Sequence, residues 1–341
     1  MTTTGPLRTP RSRVTIRDVA LAAGVSVATV SKVVNGRDGI ADATSERVLG
    51  VVADLGYESS LVATSMRRRR TGVVGVLVAE FEPFALQLLQ GVSEALQGTD
   101  YDVLAYAGSV SEGDHVGWER RSLSRLGGTL IDGAVVVTPT VAVPTSVVPA
   151  VAIDPHTGPA GPATVDTDNL AGARLATEHL LSLGHRRIGH LRGRGDLVSA
   201  QLRERGYREA LADAGIAFDE RLVAEGGYRR AEAAVAAAAL LSSDEPPTAV
   251  FAANDLSAIE TVRIATERGL RVPDDLSVIG FDDIPDATAC SPTLTTIRQP
   301  LHEMGAAAVR TLLDMLSGGE GGHVRMPAEL IVRESTGAPR A

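Results

Sequence analysis

The chain has a single cysteine, Cys290, so no disulfide can close within it, and a reducing compartment is expected. It has a single lysine, Lys32, against 32 arginines. No run of about 18 apolar residues occurs, which argues against a membrane-spanning helix. The N-terminus is polar and carries arginines without an apolar stretch, so no signal peptide is expected and the location is read as cytoplasmic. No GxGxxG follows a predicted strand, and GRGD at 193–196 is too short for a phosphate loop. Asp282 and Asp283 stand together, as acid/base or metal-binding carboxylates can, but no histidine motif or nucleophile elbow accompanies them. The expectation is therefore a protein that is not an enzyme, with no metal and no cofactor. His185 and His190 read as loop and sheet-edge residues rather than ligands.

What is present is uneven. Residues 1–71 hold 11 Lys/Arg against 6 Asp/Glu, a net of +5. The whole chain is at −9, which leaves −14 for residues 72–341. A basic first fifth on an acidic body is the charge pattern of a DNA-binding headpiece. The run Arg67–Arg70 suits phosphate contact, or else a solvated linker. At 341 residues and 44% hydrophobic content, the chain is long enough for two or three domains with sizeable cores.

The stretch VTIRDVALAAGVSVATVSKVVN (14–35) reads as two short helices joined by a turn. Thr15 and Asp18 form a capping pair, and Ile16, Val19, Ala20 and Ala23 recur at helical spacing. Gly24 permits the positive φ that ends the helix, and Ser26 caps the next. Val30, Val33 and Val34 give the second helix its buried face, leaving Thr29, Ser31, Lys32 and Asn35 to point elsewhere. That arrangement is the helix-turn-helix, which lays its second helix in the DNA major groove; an ordinary helical hairpin is the bland alternative. A third helix with Val48, Val51, Val52 and Leu55 on one stripe would close the small core.

From residue 72 strands and helices alternate. Strands are predicted at 72–79, 102–107, 132–137, 147–154, 187–191, 248–252, 276–281 and 328–333. Helices are predicted at 84–97, 114–126, 169–183, 199–214, 228–241, 255–268 and 300–316. This implies two doubly wound parallel α/β units, with linkers at 155–168, 291–299 and 317–326 that carry the chain between them and allow hinge closure on a ligand. Ligands of such sheets sit at the carboxyl ends of strands. Those ends carry Glu82-Pro83-Phe84, Asp154, Asn254-Asp255 and Asp282-Asp283, with Arg203 and Tyr228 at helix starts. Carboxylates accept from hydroxyls, a guanidinium donates in a fixed fork, and rings cover the apolar face of a sugar. Taken singly, Asn254, Asp255 or Asp282 equally suits a helix cap, and Phe84 and Tyr228 suit packing.

The blocks TIRDVALAAGVSVATVSKVVNG, TGVVGVLV, DNLAGARLATEHLLSLGHRRIGHL, FAANDLSAIETVRIATERGLRVPDDLSVIGFDD and SPTLTTIRQP resemble the LacI/GalR family of bacterial transcription repressors, in the right order over nearly the full length. The resemblance implies a three-helix headpiece at 1–58, a hinge helix and basic linker at 59–71, and an effector core at 72–341 related to periplasmic sugar-binding proteins. Within that core it places one subdomain at about 72–165 and 300–326 and the other at about 166–299 and 327–341. It implies a homodimer on a near-palindromic DNA operator and a small-molecule effector. Carried over residue by residue, DNA contacts fall at Thr15, Ser26, Val27, Ala28, Thr29, Ser31, Lys32, Asn35, Ala63 and Met66. Effector contacts fall at Phe84, Asp154, Arg203, Tyr228, Asn254 and Asp282, the same strand-end groups read above from chemistry.

Three features, at four positions, depart from the family pattern. Met66 stands where a leucine usually wedges into the minor groove, though methionine has the apolar bulk for that. Ser59-Ser60 replace the usual Pro-Asn, and Ala41 replaces a capping serine, with Asp42 as its expected substitute. The C-terminal RESTGAPRA has no leucine heptads, so no tetramerising tail is expected. The reading is a repressor induced by a sugar and controlling carbohydrate genes. A purine or other corepressor is the alternative, a solute-binding protein a more distant one, and a sugar-metabolising enzyme the least supported.

Overall fold

The computed structural model describes residues 14–34, 39–57, 70–108, 116–143, 147–158, 161 and 163–340. Its contacts divide the chain into two units, 1–71 and 72–341.

The first unit contains α1 (Ile16–Ala23), α2 (Val27–Val34) and α3 (Asp42–Leu55). The backbone N–H and hydroxyl of Thr15 both donate to the Asp18 carboxylate, at 2.7 Å each, and hold that carboxyl below its ordinary range. Gly24 closes α1 at φ 63°, and the hydroxyl of Ser26 accepts from the Thr29 N–H at 3.1 Å to cap α2. Val19, Ala20, Ala23, Val30, Val33 and Val48 form the shared core. Two expectations need correction. Leu55 is 39% exposed, so the buried stripe of α3 stops short of it. Ala41 is the N-cap of α3 with no side-chain bond, and Asp42 is the first helical residue rather than a substitute cap.

The second unit is built on two six-stranded sheets. The first contains β1 (Val73–Val78), β2 (Asp102–Ala107), β3 (Gly133–Val137), β4 (Ala150–Ile153), β5 (Thr164–Thr167) and β11 (His323–Met326). The second contains β6 (Ile188–Arg192), β7 (Val223–Glu225), β8 (Ala249–Ala252), β9 (Ser277–Asp282), β10 (Thr295–Arg298) and β12 (Glu329–Ile331). The spatial orders are β11-β5-β4-β3-β1-β2 and β12-β10-β9-β8-β6-β7. Every pairing is parallel except β10 with β12. In each sheet the order reverses beside the first strand, at β1/β3 and at β6/β8. Those are the topological switch points at which doubly wound sheets leave a crevice.

Helices cover both faces. Alternate residues of β1 face opposite ways. Val74, Val76 and Val78 pack with α4 (Pro83–Ala95) and α11 (Leu301–Leu316), while Val73 and Leu77 pack with α5 (Trp118–Leu126). The second sheet lies between α6 (Asn169–Ser182) with α7 (Val198–Asp213) and α8 (Arg230–Leu241) with α9 (Asp255–Glu267). Helices α4 and α11 touch through glycines. A Cβ on Gly91 would stand 1.9 Å from the His302 carbonyl oxygen, and one on Gly305 2.2 Å from that of Leu88.

The segments read as linkers are partly sheet. β5, β10 and β11 lie within 155–168, 291–299 and 317–326, and the short β7 and the helix α10 (Asp286–Ala289) had no sequence signal either. The chain passes between sheets at Asp168, at Gln299-Pro300 and at Pro327-Ala328, so each passage is only one or two residues long.

Candidate functional site

On α2 the buried face is Val30 and Val33, and Val27, Ala28 and Lys32 are exposed. Ser26 is exposed at the cap, Thr29 and Ser31 are half-buried, and Thr15 is exposed at the start of α1. Val27, Ala28 and Lys32 follow at helical spacing and so share one outward face. Asn35, Ala63 and Met66 lie outside the described residues, as do Ser59 and Ser60.

All six expected effector residues line one cleft of about 580 Å³ in the second unit, together with Glu82, Thr138, His156, Ser199, Leu256 and Ile284. The switch-point topology explains the convergence. Glu82 and Phe84 follow β1, Thr138 follows β3, Asp154 follows β4, Asn254 follows β8, and Asp282 ends β9. Two corrections concern placement. Arg203 is in the second turn of α7 rather than at its start, and Tyr228 precedes α8 by two residues.

Arg203 is the centre of the arrangement and only 3% exposed. Its Nε donates to Asn169 Oδ1 at 2.8 Å and its Nη1 to the Ala253 carbonyl at 2.5 Å. Nη1 also stands 3.6 Å from Asp282 Oδ1. The guanidinium carbon lies 3.7 Å from the centre of the Phe281 ring and 5.7 Å from that of Tyr228, a cation between two ring faces. Nη2 has no protein partner among the described residues. The guanidinium is thus oriented at three points and retains donor capacity toward the cleft.

Asp282 accepts from Gln299 Nε2 at 2.7 Å. Burial pushes its carboxyl up to about 7, against the opposing pull of Arg203 and of the Gln299 bond. Asp154 and Glu82 raise it further. Glu82 is itself raised by its enclosed setting and by Glu80. Enclosure lowers His156 in spite of Asp154, favouring the neutral ring. Asp154 accepts from Asn169 Nδ2 at 3.4 Å, so Asn169 ties Arg203 to Asp154 across the two sheets.

Tyr228 has φ 67°, and its half-buried ring packs closely against Gly193. A Cβ there would stand 2.3 Å from Tyr228 Cζ, so the close approach requires glycine. Asn254 caps α9, accepting from the Ser257 N–H at 3.0 Å, and donates to the Tyr228 carbonyl at 3.1 Å. These bonds fix the amide on the cleft wall and leave it one N–H and one lone pair. Asp255 and Asp283 turn away from the cleft. Asp255 is fully buried, accepting from Thr296 Oγ1 and the Ile284 N–H, and Asp283 pairs with Arg298 and Arg333.

Sequence reasoning missed Asn169, Thr138, His156 and Ser199. Only Thr138 and His156 had a signal, as polar residues just past predicted strands. His185 lies in the loop before β6, as expected, but His190 needs correction, because β6 runs between β8 and β7 and is not a sheet edge. His190 is fully buried inside β6 with its ring stacked against Tyr207 and Phe251, and His185 is buried and bonded to Thr248, Ser277 and the Gly337 carbonyl. Among the described residues no cluster of three or more potential metal ligands occurs, and no helix is long and apolar enough to cross a membrane.

Residues 15–60 match the model for bacterial regulatory proteins of the lacI family, and residues 177–336 match a periplasmic binding protein-like domain. The transcriptional regulator CelR of Thermobifida fusca is 35% identical over 95% of this chain and 99% of its own. The transcriptional repressor PurR of Photobacterium profundum is 34% identical over 94% and 98%. Among solved structures, a CelR–cellobiose complex superposes with TM-score 0.71 at 34% identity, covering 95% of this chain and all of that one. The lac repressor dimer bound to operator and the anti-inducer ONPF superposes with TM-score 0.79 at 28% identity, covering 96% of this chain and all of that one.

Proposed function

Because the chain belongs to the lacI family of bacterial regulatory proteins, we propose that it is a sugar-induced repressor of carbohydrate-uptake or catabolic genes. It acts in the cytoplasm as a homodimer on a near-palindromic operator. Residues 1–58 supply DNA recognition, 59–71 the hinge, and 72–341 effector binding and dimerisation. Thr15, Ser26, Val27, Ala28, Thr29, Ser31, Lys32 and Asn35 form the DNA face, with Ala63 and Met66 in the minor groove. Val27 and Ala28 suit a thymine methyl, and Lys32 a guanine edge or a phosphate.

The observation that carries the sugar reading is the excess of acceptors in the cleft. Glu82, Asp154 and Asp282 line it together with a single guanidinium, that of Arg203. A ligand there must bring donors. A sugar brings a hydroxyl on nearly every carbon, whereas a purine base brings few N–H groups. The purine corepressor is the second reading; the 34% identity to PurR and the stacked Arg203 favour it. Phe84, Asp154, Arg203 and Asp282 contact the effector, and Tyr228 and Asn254 complete the wall.

The cleft lies between the two sheets, joined by three short passages, so a ligand held by residues of both sheets favours one mutual arrangement. A ligand shifts an equilibrium only by its differential affinity for the two states. Linkage then requires operator DNA to weaken binding of an inducer by the same factor by which the inducer weakens DNA binding. The test is calorimetric titration of sugars and purines into the full chain, with and without an operator duplex selected from random sequence. Weaker sugar binding in the presence of DNA is expected. Tighter binding, or binding of purines alone, overturns the inducer reading in favour of a corepressor.

A further inference from the structure

A second cavity of about 670 Å³ adjoins the cleft, and Glu82, Thr138, His156 and Tyr228 line both. The two are compartments of one cavity with a waist at those four residues. A single ring held at Arg203 and Asp282 would leave the second compartment filled only with water.

The second compartment has its own recognition chemistry. Ala79 and Leu197 give it apolar surface, and Trp118 gives it an aromatic wall. Trp118 is only 2% exposed and held firmly, since a Cβ on Gly108 would come within 2.8 Å of its ring. Its indole N–H is buried with no hydrogen-bond partner among the described residues, which is costly unless a ligand accepts from it. His156 Nδ1, at the waist, is likewise buried and unpartnered among the described residues. Two arginines stand at the rim, but both are already neutralised, Arg194 by Asp196 at 2.6 Å and Arg229 by Glu80 at 2.8 Å. Among the described residues the compartment therefore offers no free positive charge to a phosphate or a uronate, and Glu82 opposes an anion at the waist. A neutral, hydroxyl-rich ring with an apolar face fits it.

We propose that the effector is a neutral sugar of at least two rings, one in the Arg203–Asp282 compartment and the second against Trp118, with the linkage passing between Glu82, His156 and Tyr228. This rests on the sugar reading of the cleft and extends it to ligand length. The experiment is calorimetric titration of the full chain with glucose, galactose, mannose and xylose and with a 1,4-linked disaccharide of each, alongside hypoxanthine and guanine. The best disaccharide should bind at least tenfold more tightly than its own monosaccharide. Trp118→Phe, which keeps the ring but removes the N–H, should lose about tenfold for the disaccharide and leave monosaccharide affinity within twofold; its melting temperature reports whether the fold is intact. A monosaccharide that binds as tightly as its disaccharide overturns the two-ring proposal and leaves the sugar reading standing. Binding of purines alone, or of no sugar, overturns the sugar reading itself.

Discussion

Replacing Arg203 by methionine tests how the cleft is held and how it recognises its ligand. The change keeps an unbranched apolar stem between Phe281 and Tyr228 and removes the bonds to Asn169 Oδ1 and to the Ala253 carbonyl. It also strands Asp282, whose carboxyl lies 3.6 Å from the guanidinium. A stranded buried charge costs roughly 3–5 kcal/mol. Asp282 escapes most of that, because its carboxyl is already pushed up to about 7 and rises further without the guanidinium, so it takes up a proton at neutral pH. What remains is two buried acceptors left without their donor, about 2 kcal/mol in total at roughly 1 kcal/mol each. For a core of this size that lowers the melting temperature by about 4–8 °C. The deficit should be smaller at pH 6 than at pH 8, where Asp282 must ionise without the guanidinium. Effector affinity should fall further than stability. A hydrogen bond to a charged group contributes about 1.5–3 kcal/mol, or roughly a 10- to 150-fold loss. Operator binding without effector should be unchanged. Thermal-shift titration across pH, calorimetry with the effector, and operator binding by fluorescence anisotropy check the three parts. An effector affinity within twofold of the wild type would refute the role given to Arg203. A deficit that grows on going from pH 8 to pH 6 would refute the protonation argument.

Effector hydroxyls that donate to Asp282 favour its ionised form, so binding should release a proton near neutrality; calorimetry in buffers of different ionisation enthalpy should show it in the wild type and not in Asp282→Asn. The folded pKa of His190 is lowered to about 4 by burial, so its neutral ring gives stability present above the ordinary histidine value and lost as pH falls toward 4. His190→Phe, stacked in the same way between Tyr207 and Phe251, should flatten melting temperature against pH over that window, and an unchanged slope would refute it. Gly91→Ala and Gly305→Ala force α4 and α11 apart against backbone oxygens and should each cost about 1–3 kcal/mol or more in urea unfolding of the core; a neutral effect would show that the helices slide freely. Lys32→Ala should lose about 1–3 kcal/mol on the selected operator, and an equal loss on random DNA would assign the lysine to phosphate instead.

The headpiece was legible because its signals are local. Thr15 with Asp18, Gly24, Ser26 and the valine spacing each act within one turn of chain, and each takes its expected place. Ala41 and Leu55 were misread because capping and stripe membership depend on neighbours that the pattern of one helix does not contain. The strands of both sheets that carry buried apolar runs were legible for the same reason. Those that were missed, β5, β7, β10 and β11, are short and rich in Thr, Glu, Arg or His, and they are strands because a neighbour supplies the ladder.

Sequence by itself determined the residue types at the strand ends, and hence the acceptor-rich character of the cleft, since a carboxylate remains an acceptor in any fold. Only the tertiary structure decided which of them face the ligand. Asp282 and Asp283 are adjacent in sequence, yet one looks into the cleft at Arg203 and the other outward at Arg298 and Arg333. Asn254 is oriented by a cap and by the Tyr228 carbonyl, while Asn169, silent in the sequence, ties Arg203 to Asp154. The reason is range. A cap or a buried stripe is fixed by atoms a few residues apart, whereas the direction of a side chain at a switch point is fixed by strands and helices that meet only once both sheets have formed.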